Sequence, residues 1–211
     1  MDRMYVNPVN LLGLATVALG MVLTPGPNMI YLVSRSVTQG RRAGLISLAG
    51  TYTGFVVYLG AAAAGIATIF AIVPTLYTVL KIAGAGYLLW LAWQAVRPGG
   101  RSAFVPRRLP VDPPGRLFTM GLVTNLLNPK AVILYVSLLP QFVDASRGHV
   151  AGQILVLGMT QIAISTAVNF LIVLTAGGLA VFLAARPLWL RVQRYLMGAV
   201  LAGLAVRMAA D

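Results

Sequence analysis

Hydrophobic positions run almost unbroken through six stretches of this chain, and polar residues interrupt them at two matching places. The stretches are Val9–Ser34, Ala43–Phe70, Leu76–Val96, Leu117–Val143, Val150–Leu183 and Leu188–Met208. Each reaches the roughly 20 residues a helix needs to cross a bilayer. No residue is charged from Ala43 to Leu80, nor from Val150 to Ala185. The pattern predicts an all-α integral membrane protein with six transmembrane helices. Pro74 separates the second and third spans, and Pro187 opens the sixth, where a helix's first turn tolerates proline. The sixth is the shortest in its uncharged core, from Tyr195 to Val206. Arg191, Arg194 and Arg207 must snorkel to the two interfaces.

The interruptions carry the functional signal. Thr24-Pro25-Gly26-Pro27-Asn28 breaks the first span; Asn125 and then Asn128-Pro129-Lys130 break the fourth. Proline removes a backbone donor and cannot continue a regular helix, so carbonyls near residues 21–23 lose their partners. In hydrocarbon such groups survive only against protein or a polar cavity. Breaks at corresponding places in two halves of a chain point to a transporter's substrate site. The helix that restarts after Pro27 presents free N–H groups and partial positive charge, which suit a carboxylate. A passive kink needs much less than Pro-Gly-Pro flanked by Thr24 and Asn28.

Lys130 lies well inside the fourth span, where a lysine costs about 3 kcal/mol on insertion scales and should face protein or water. Its ammonium can bind a substrate carboxylate, change protonation during transport, or donate to carbonyls freed by the break. These roles are compatible. Lys81, early in the third span, reads first as a snorkelling residue and second as a site residue. Gln153, Gln161 and Asn169 recur every eight residues along the fifth span and share a face. Asn169, the deepest, either lines a cavity or bonds to a neighbouring helix. Gly50 and Gly54 read as close helix packing.

Charge sorting orients the spans. Arg35, Arg41 and Arg42 follow the first; Arg97, Arg101, Arg107, Arg108 and Arg116, with Asp112, follow the third; Arg186, Arg191 and Arg194 precede the core of the sixth. The other side holds Arg3, Arg147 and Arg207. The positive-inside rule places both termini outside and the linker Pro98–Gly115 in the cytoplasm, with Trp90, Trp93 and Trp189 at the cytoplasmic boundary. The linker, rich in proline, glycine and arginine, reads as a flexible connector. A retained first span is expected rather than a cleaved signal, because Met1-Asp2-Arg3-Met4 lacks a basic excess. The linker divides a weak internal repeat, residues 9–97 against 116–208, in which Pro27 aligns with Pro129 and Gly84-Ala85 with Gly198-Ala199. Three spans per half require the second to be inverted, so one transporter domain of two inverted three-helix repeats is expected.

Composition narrows the chemistry. The chain of 211 residues is 59% hydrophobic and 9% charged, which leaves no room for a soluble domain. Its net charge of +12 reflects topology rather than nucleic-acid binding. There is no cysteine, no glutamate, one exposed-loop histidine (His149) and no aspartate within a span. A redox pair, a metal or other cofactor site and a hydrolytic set are not expected. An ion exporter lacks ligands, and a scaffold with two proline-broken helices would be a costly design.

The motifs Leu23-Thr24-Pro25-Gly26-Pro27-Asn28, Gln39-Gly40-Arg41-Arg42-Ala43-Gly44, Leu80-Lys81-Ile82-Ala83-Gly84-Ala85, Tyr87-Leu88, Asn125-Leu126-Leu127-Asn128-Pro129-Lys130-Ala131 and Leu139-Pro140-Gln141-Phe142-Val143 occur in order along the chain. In this combination the sequence resembles the LysE/RhtB family of amino-acid exporters. The resemblance implies a multi-pass protein of the bacterial inner membrane that exports amino acids or close derivatives using the proton gradient. It does not fix the substrate, the coupling stoichiometry or whether the chain forms a homo-oligomer. From the residues themselves, the substrate-binding set is Thr24, Pro25, Gly26, Pro27, Asn28, Lys81, Asn125, Asn128, Pro129, Lys130 and Asn169. An α-ammonium is expected against freed carbonyls or Asn125, Asn128 or Asn169. With no buried acid, a neutral substrate is favoured over lysine or arginine.

Overall fold

The computed structural model describes residues 6–24, 26–66 and 111–184, with scattered positions within 82–97 and 195–206. Pro25, Lys81, most of the third and sixth predicted spans and most of the linker lie outside the described residues. Ile82, Ala85, Trp90, Tyr195 and Val206, which are described, are helical.

The first predicted span is two helices. Helix α1 (Pro8–Leu23) starts where the Asn7 side chain accepts from the Val9 amide at 3.0 Å, and Pro8 occupies a position whose amide needs no partner. It ends at Thr24, whose extended backbone leads to Gly26, and helix α2 (Pro27–Gln39) departs at 52° to it. Gly40, at φ 85°, turns the chain at once into α3 (Arg41–Ala61). That left-handed angle is what glycine allows, so one residue serves as the whole loop. The expected loop of arginines is therefore corrected: Arg35 lies inside α2, while Arg41 and Arg42 form the first turn of α3. A π turn, Ala62–Ile66, extends α3.

Helix α4 (Pro114–Leu126) begins within the expected linker, because Pro114 is tolerated in a first turn. The flexible connector thus ends sooner than Gly115. The fourth span breaks at Leu127–Asn128 and bends by 50°. It continues as α5 (Pro129–Ile133), a π turn (Leu134–Leu138) and a 3-10 turn (Leu139–Phe142). After a second 3-10 turn (Ala145–Arg147), α6 (Val150–Ala184) follows as one unbroken helix.

Long-range bonds set the directions. At one end, Asn10 near the start of α1 donates to the Phe142 carbonyl at 3.0 Å. At the other, Gln39 at the end of α2 donates to Asp112, just before α4, at 3.0 Å. The two broken spans therefore run antiparallel.

Burial is inverted relative to a water-soluble protein. Large apolar side chains such as Leu12, Val57, Met159 and Leu171 are exposed, whereas Asn125, Gln153, Gln161 and Asn169 are buried. Lipid solvates the first set; within the second, Gln153 and Gln161 use both their amide oxygen and nitrogen in hydrogen bonds. Helices α3 and α4 approach so closely that a Cβ on Gly50 would overlap the Phe118 carbonyl, and one on Gly121 the Ser47 carbonyl. Gly54 makes room for the Asn125 side chain. One apolar cluster, including Leu14, Leu59, Leu138 and Leu157, packs the half that holds the start of α1; Leu32, Leu48 and Val173 pack the other half. The two breaks lie between these clusters.

Candidate functional site

Where α1 stops, its last carbonyls face inward without helical partners, and Lys130 answers them. Its Nζ donates to the carbonyls of Met21 at 2.6 Å and Thr24 at 2.7 Å. The Lys130 backbone is fixed in turn, because its amide donates to Asn128 Oδ1 at 3.0 Å as α5 starts. Thr24 Oγ1 donates to the Gly20 carbonyl at 2.8 Å, so the end of α1 is closed by a hydroxyl and an ammonium together. A cation at the negative end of a helix is favourable, and both bonds are charge-assisted. Of the roles the sequence leaves open for Lys130, donation to the freed carbonyls is the one seen. Two of its three ammonium protons are used in this way.

Gly26 makes the arrangement fit. A Cβ there would lie 3.0 Å from Lys130 Cδ and 3.2 Å from Nζ, so the lysine passes directly over the glycine. That also brings the ammonium beside the first turn of α2, which has no side-chain cap.

A cleft of about 450 Å³, counting its open mouth, lies between the breaks. Its polar wall comprises Thr24, Asn28, Asn128, Lys130, Gln161, Ser165 and Asn169; Ala18, Met29, Phe55 and Leu134 supply much of the apolar wall. A hydrogen-bonded ladder orders the α6 side. Tyr135 donates to Gln161 at 2.6 Å, Gln161 donates to Ser165 Oγ at 2.7 Å, and Asn169 donates to the Ser165 carbonyl at 2.8 Å. The spacing of eight is thus one buried face, but its members differ in use. Gln153 ties down the Asp144–Gly148 loop, bonding both carbonyls and the Asp144 amide.

Of the expected site residues, Thr24, Gly26, Asn28, Asn128, Lys130 and Asn169 meet on this cleft. Pro27 and Pro129 start the two restarted helices, exposed beside it. Asn125 stands apart, fully buried against Gly54 between α3 and α4, and its amide has no hydrogen-bond partner among the described residues. Sequence reading missed Phe55, Tyr135 and Ser165, which carry no unusual signal in a membrane helix.

Below the cleft, a polar junction ties α2 to the start of α4. Arg35 forms an ion pair with Asp112, which also accepts from Gln39 and faces Arg116 at 3.3 Å. The Asp112 amide donates back to Gln39 at 2.9 Å. Gln39's amide, followed by Arg35 and Arg116, holds the Asp112 carboxyl below the usual range despite its burial. Tyr31 donates to the Leu117 carbonyl at 2.7 Å, and the Arg35 guanidinium sits 5.5 Å from the centre of its ring.

Two antiparallel, proline-broken spans around a polar cleft, coated outside with apolar side chains, are the plan of a membrane transporter. The chain belongs to the LysE type translocator family, whose family model matches residues 19–211. It is similar to the leucine efflux protein of Salmonella typhimurium, with 29% identity over 196 residues covering 91% of each chain. It is similar also to the leucine efflux protein of Klebsiella pneumoniae subsp. pneumoniae, with 28% identity over 198 residues and the same 91% coverage of both. No solved structure matches the chain.

Proposed function

We propose that the chain exports a neutral amino acid of leucine's class across the inner membrane, driven by the proton gradient. The carrying observation is the make-up of the cleft: an ammonium and a restarted helix on one wall, amides on another, and no acidic residue among those that line it. The substrate carboxylate lies at the first turn of α2, beside the remaining proton of Lys130. Its aliphatic side chain lies against Phe55 and its apolar neighbours. A second positive charge, as on lysine, would be buried without a counter-ion at a cost of several kcal/mol. The names of the efflux relatives support the same substrate class.

Transport then proceeds by alternating access, the two inverted three-helix repeats rocking about the broken spans. Their antiparallel course supports this reading. Both termini face the periplasm, and the linker faces the cytoplasm. Proton coupling follows from the family resemblance. Right-side-out vesicles loaded with labelled leucine, other neutral amino acids, lysine or arginine test the substrate. Leucine-class efflux that collapses with a protonophore is expected; lysine or arginine efflux with neutral amino acids ignored overturns the proposal.

A further inference from the structure

Among the described residues, two side-chain oxygens on residues that line the cleft find no hydrogen-bond partner. Asn28 Oδ1 and Asn169 Oδ1 are buried acceptors without a hydrogen-bond partner, on residues 7% and 3% exposed. Both residues line the cleft, one from the first turn of α2 and the other from α6. The orientation of Asn169 is forced. Its nitrogen donates to the Ser165 carbonyl at 2.8 Å, and a carbonyl can only accept. The oxygen must therefore be the atom left over. A buried acceptor without a donor is destabilising, so a pair on one cleft asks what brings the donors.

Other acceptors nearby are already engaged. The Met21 and Thr24 carbonyls take Lys130 Nζ, Asn128 Oδ1 takes the Lys130 amide, and Gln161 Oε1 takes the Tyr135 hydroxyl. Asn125 does not line the cleft. Among the described polar residues of the cleft, this leaves the amide oxygens of Asn28 and Asn169.

We infer that the amide oxygens of Asn28 and Asn169 form a subsite for the substrate's α-ammonium. The inference rests on the amino-acid substrate proposed above and deepens it. A primary ammonium brings three protons and matches neutral acceptors, whereas a hard divalent ion would want six or more oxygens. Asn28 belongs to the same helix turn that faces the carboxylate, so the two charged groups of one amino acid meet adjacent surfaces. Both ends of the zwitterion are then met: the carboxylate by the Lys130 ammonium, and the α-ammonium by neutral hydrogen-bond acceptors on Asn28 and Asn169. The requirement is sharp, because an analogue with a hydroxyl in place of the ammonium brings a single donor and leaves one of the two oxygens stranded.

The test uses the full chain in proteoliposomes and three probes: leucine, its 2-hydroxy analogue, in which hydroxyl replaces ammonium, and 3-methylbutylamine, which lacks the carboxylate. Wild-type protein should prefer leucine to the hydroxy acid by about tenfold or more, the worth of a charge-assisted hydrogen bond. Asn28→Leu and Asn169→Leu should each lower leucine transport by about tenfold and leave the hydroxy acid within about threefold of wild type, erasing the preference. Retained hydroxy-acid transport reports a folded carrier, and Asn169→Ser serves where the leucine variant does not accumulate. The amine should be transported poorly by every form. An unchanged preference in the variants overturns the inference, as does equal loss of both acids. Leucine transport that needs sodium in wild type and loses that need in the variants also overturns it, by giving the oxygens to the ion. Failure of the underlying reading looks different: wild type would move neither acid.

Discussion

Lys130 is buried between two breaks that neither half of the chain could close alone. Burying a lysine at the bilayer centre costs about 3 kcal/mol, and each hydrogen bond to a charged group returns about 1.5–3 kcal/mol. Bonds to Met21 and Thr24 therefore offset the burial. Lys130→Met should remove both hydrogen bonds and lower the unfolding temperature of the purified protein. Efflux of carboxylate substrates should fall to about a tenth or less, with the amine probe much less affected. Unaltered leucine efflux would remove Lys130 from the site. Gly26→Ala keeps the ammonium but pushes it aside, so efflux should fall while insertion is preserved; membrane fractionation and vesicle assays check both. Much of this site was legible, because asparagine, lysine and Pro-Gly-Pro are expensive in an apolar segment and announce a purpose. The partner of Lys130 was not, since contact between residue 130 and residues 21 and 24 is decided by packing. Nor could the sequence separate Asn125, closed off against Gly54, from Asn128 three residues later.

The breaks, as elements, are set by proline and exploited by what faces them. Pro27→Ala and Pro129→Ala should each permit straighter helix and withdraw the free backbone groups, giving normal insertion but strongly reduced efflux in vesicles. Normal efflux in both would make the bends passive. The junction of α2 with α4 is a separate element with its own signature. Asp112 is stabilised as a carboxylate by Gln39, Arg35 and Arg116, so its folded pKa lies below the unfolded value of about 3.9. Its contribution is complete above that value and is lost as pH falls through the lowered one. Asp144, held down first by the Ser146 hydroxyl, adds to the same acid limb. Asp112→Asn should reduce thermal stability at pH 7 and flatten its decline below about pH 4, measured by scanning unfolding in detergent. Hydrophobic runs located the described spans, to within one residue for Val150–Ala184 but five residues short at Gln39 and three late at Pro114, because lipid demands apolar length while caps and ion pairs set the ends. Arg35 escaped that reading: near the end of a span, a paired arginine and a solvated one look alike.

At the scale of the molecule, an inward face of amides and an outward face of aliphatics make the protein a carrier only if the halves can exchange access. The charge distribution predicts that reporters fused at Asp211 read as periplasmic and at Gly100 as cytoplasmic. A cytoplasmic Asp211 would leave five spans and remove the inverted symmetry. The absence of cysteine makes a direct test of the cleft available, since any introduced thiol is the sole one. Val22 lines the cleft and is half-buried, and Ala145 lies exposed in the turn before α6. The decisive measurement is the rate at which a small thiol reagent modifies Val22→Cys in proteoliposomes, with Ala145→Cys as the comparison. Leucine should slow modification at residue 22 in proportion to its occupancy, lysine should not, and residue 145 should respond to neither. Leucine that is exported by the Val22→Cys protein yet leaves its modification rate unchanged would place the substrate elsewhere and contradict the account.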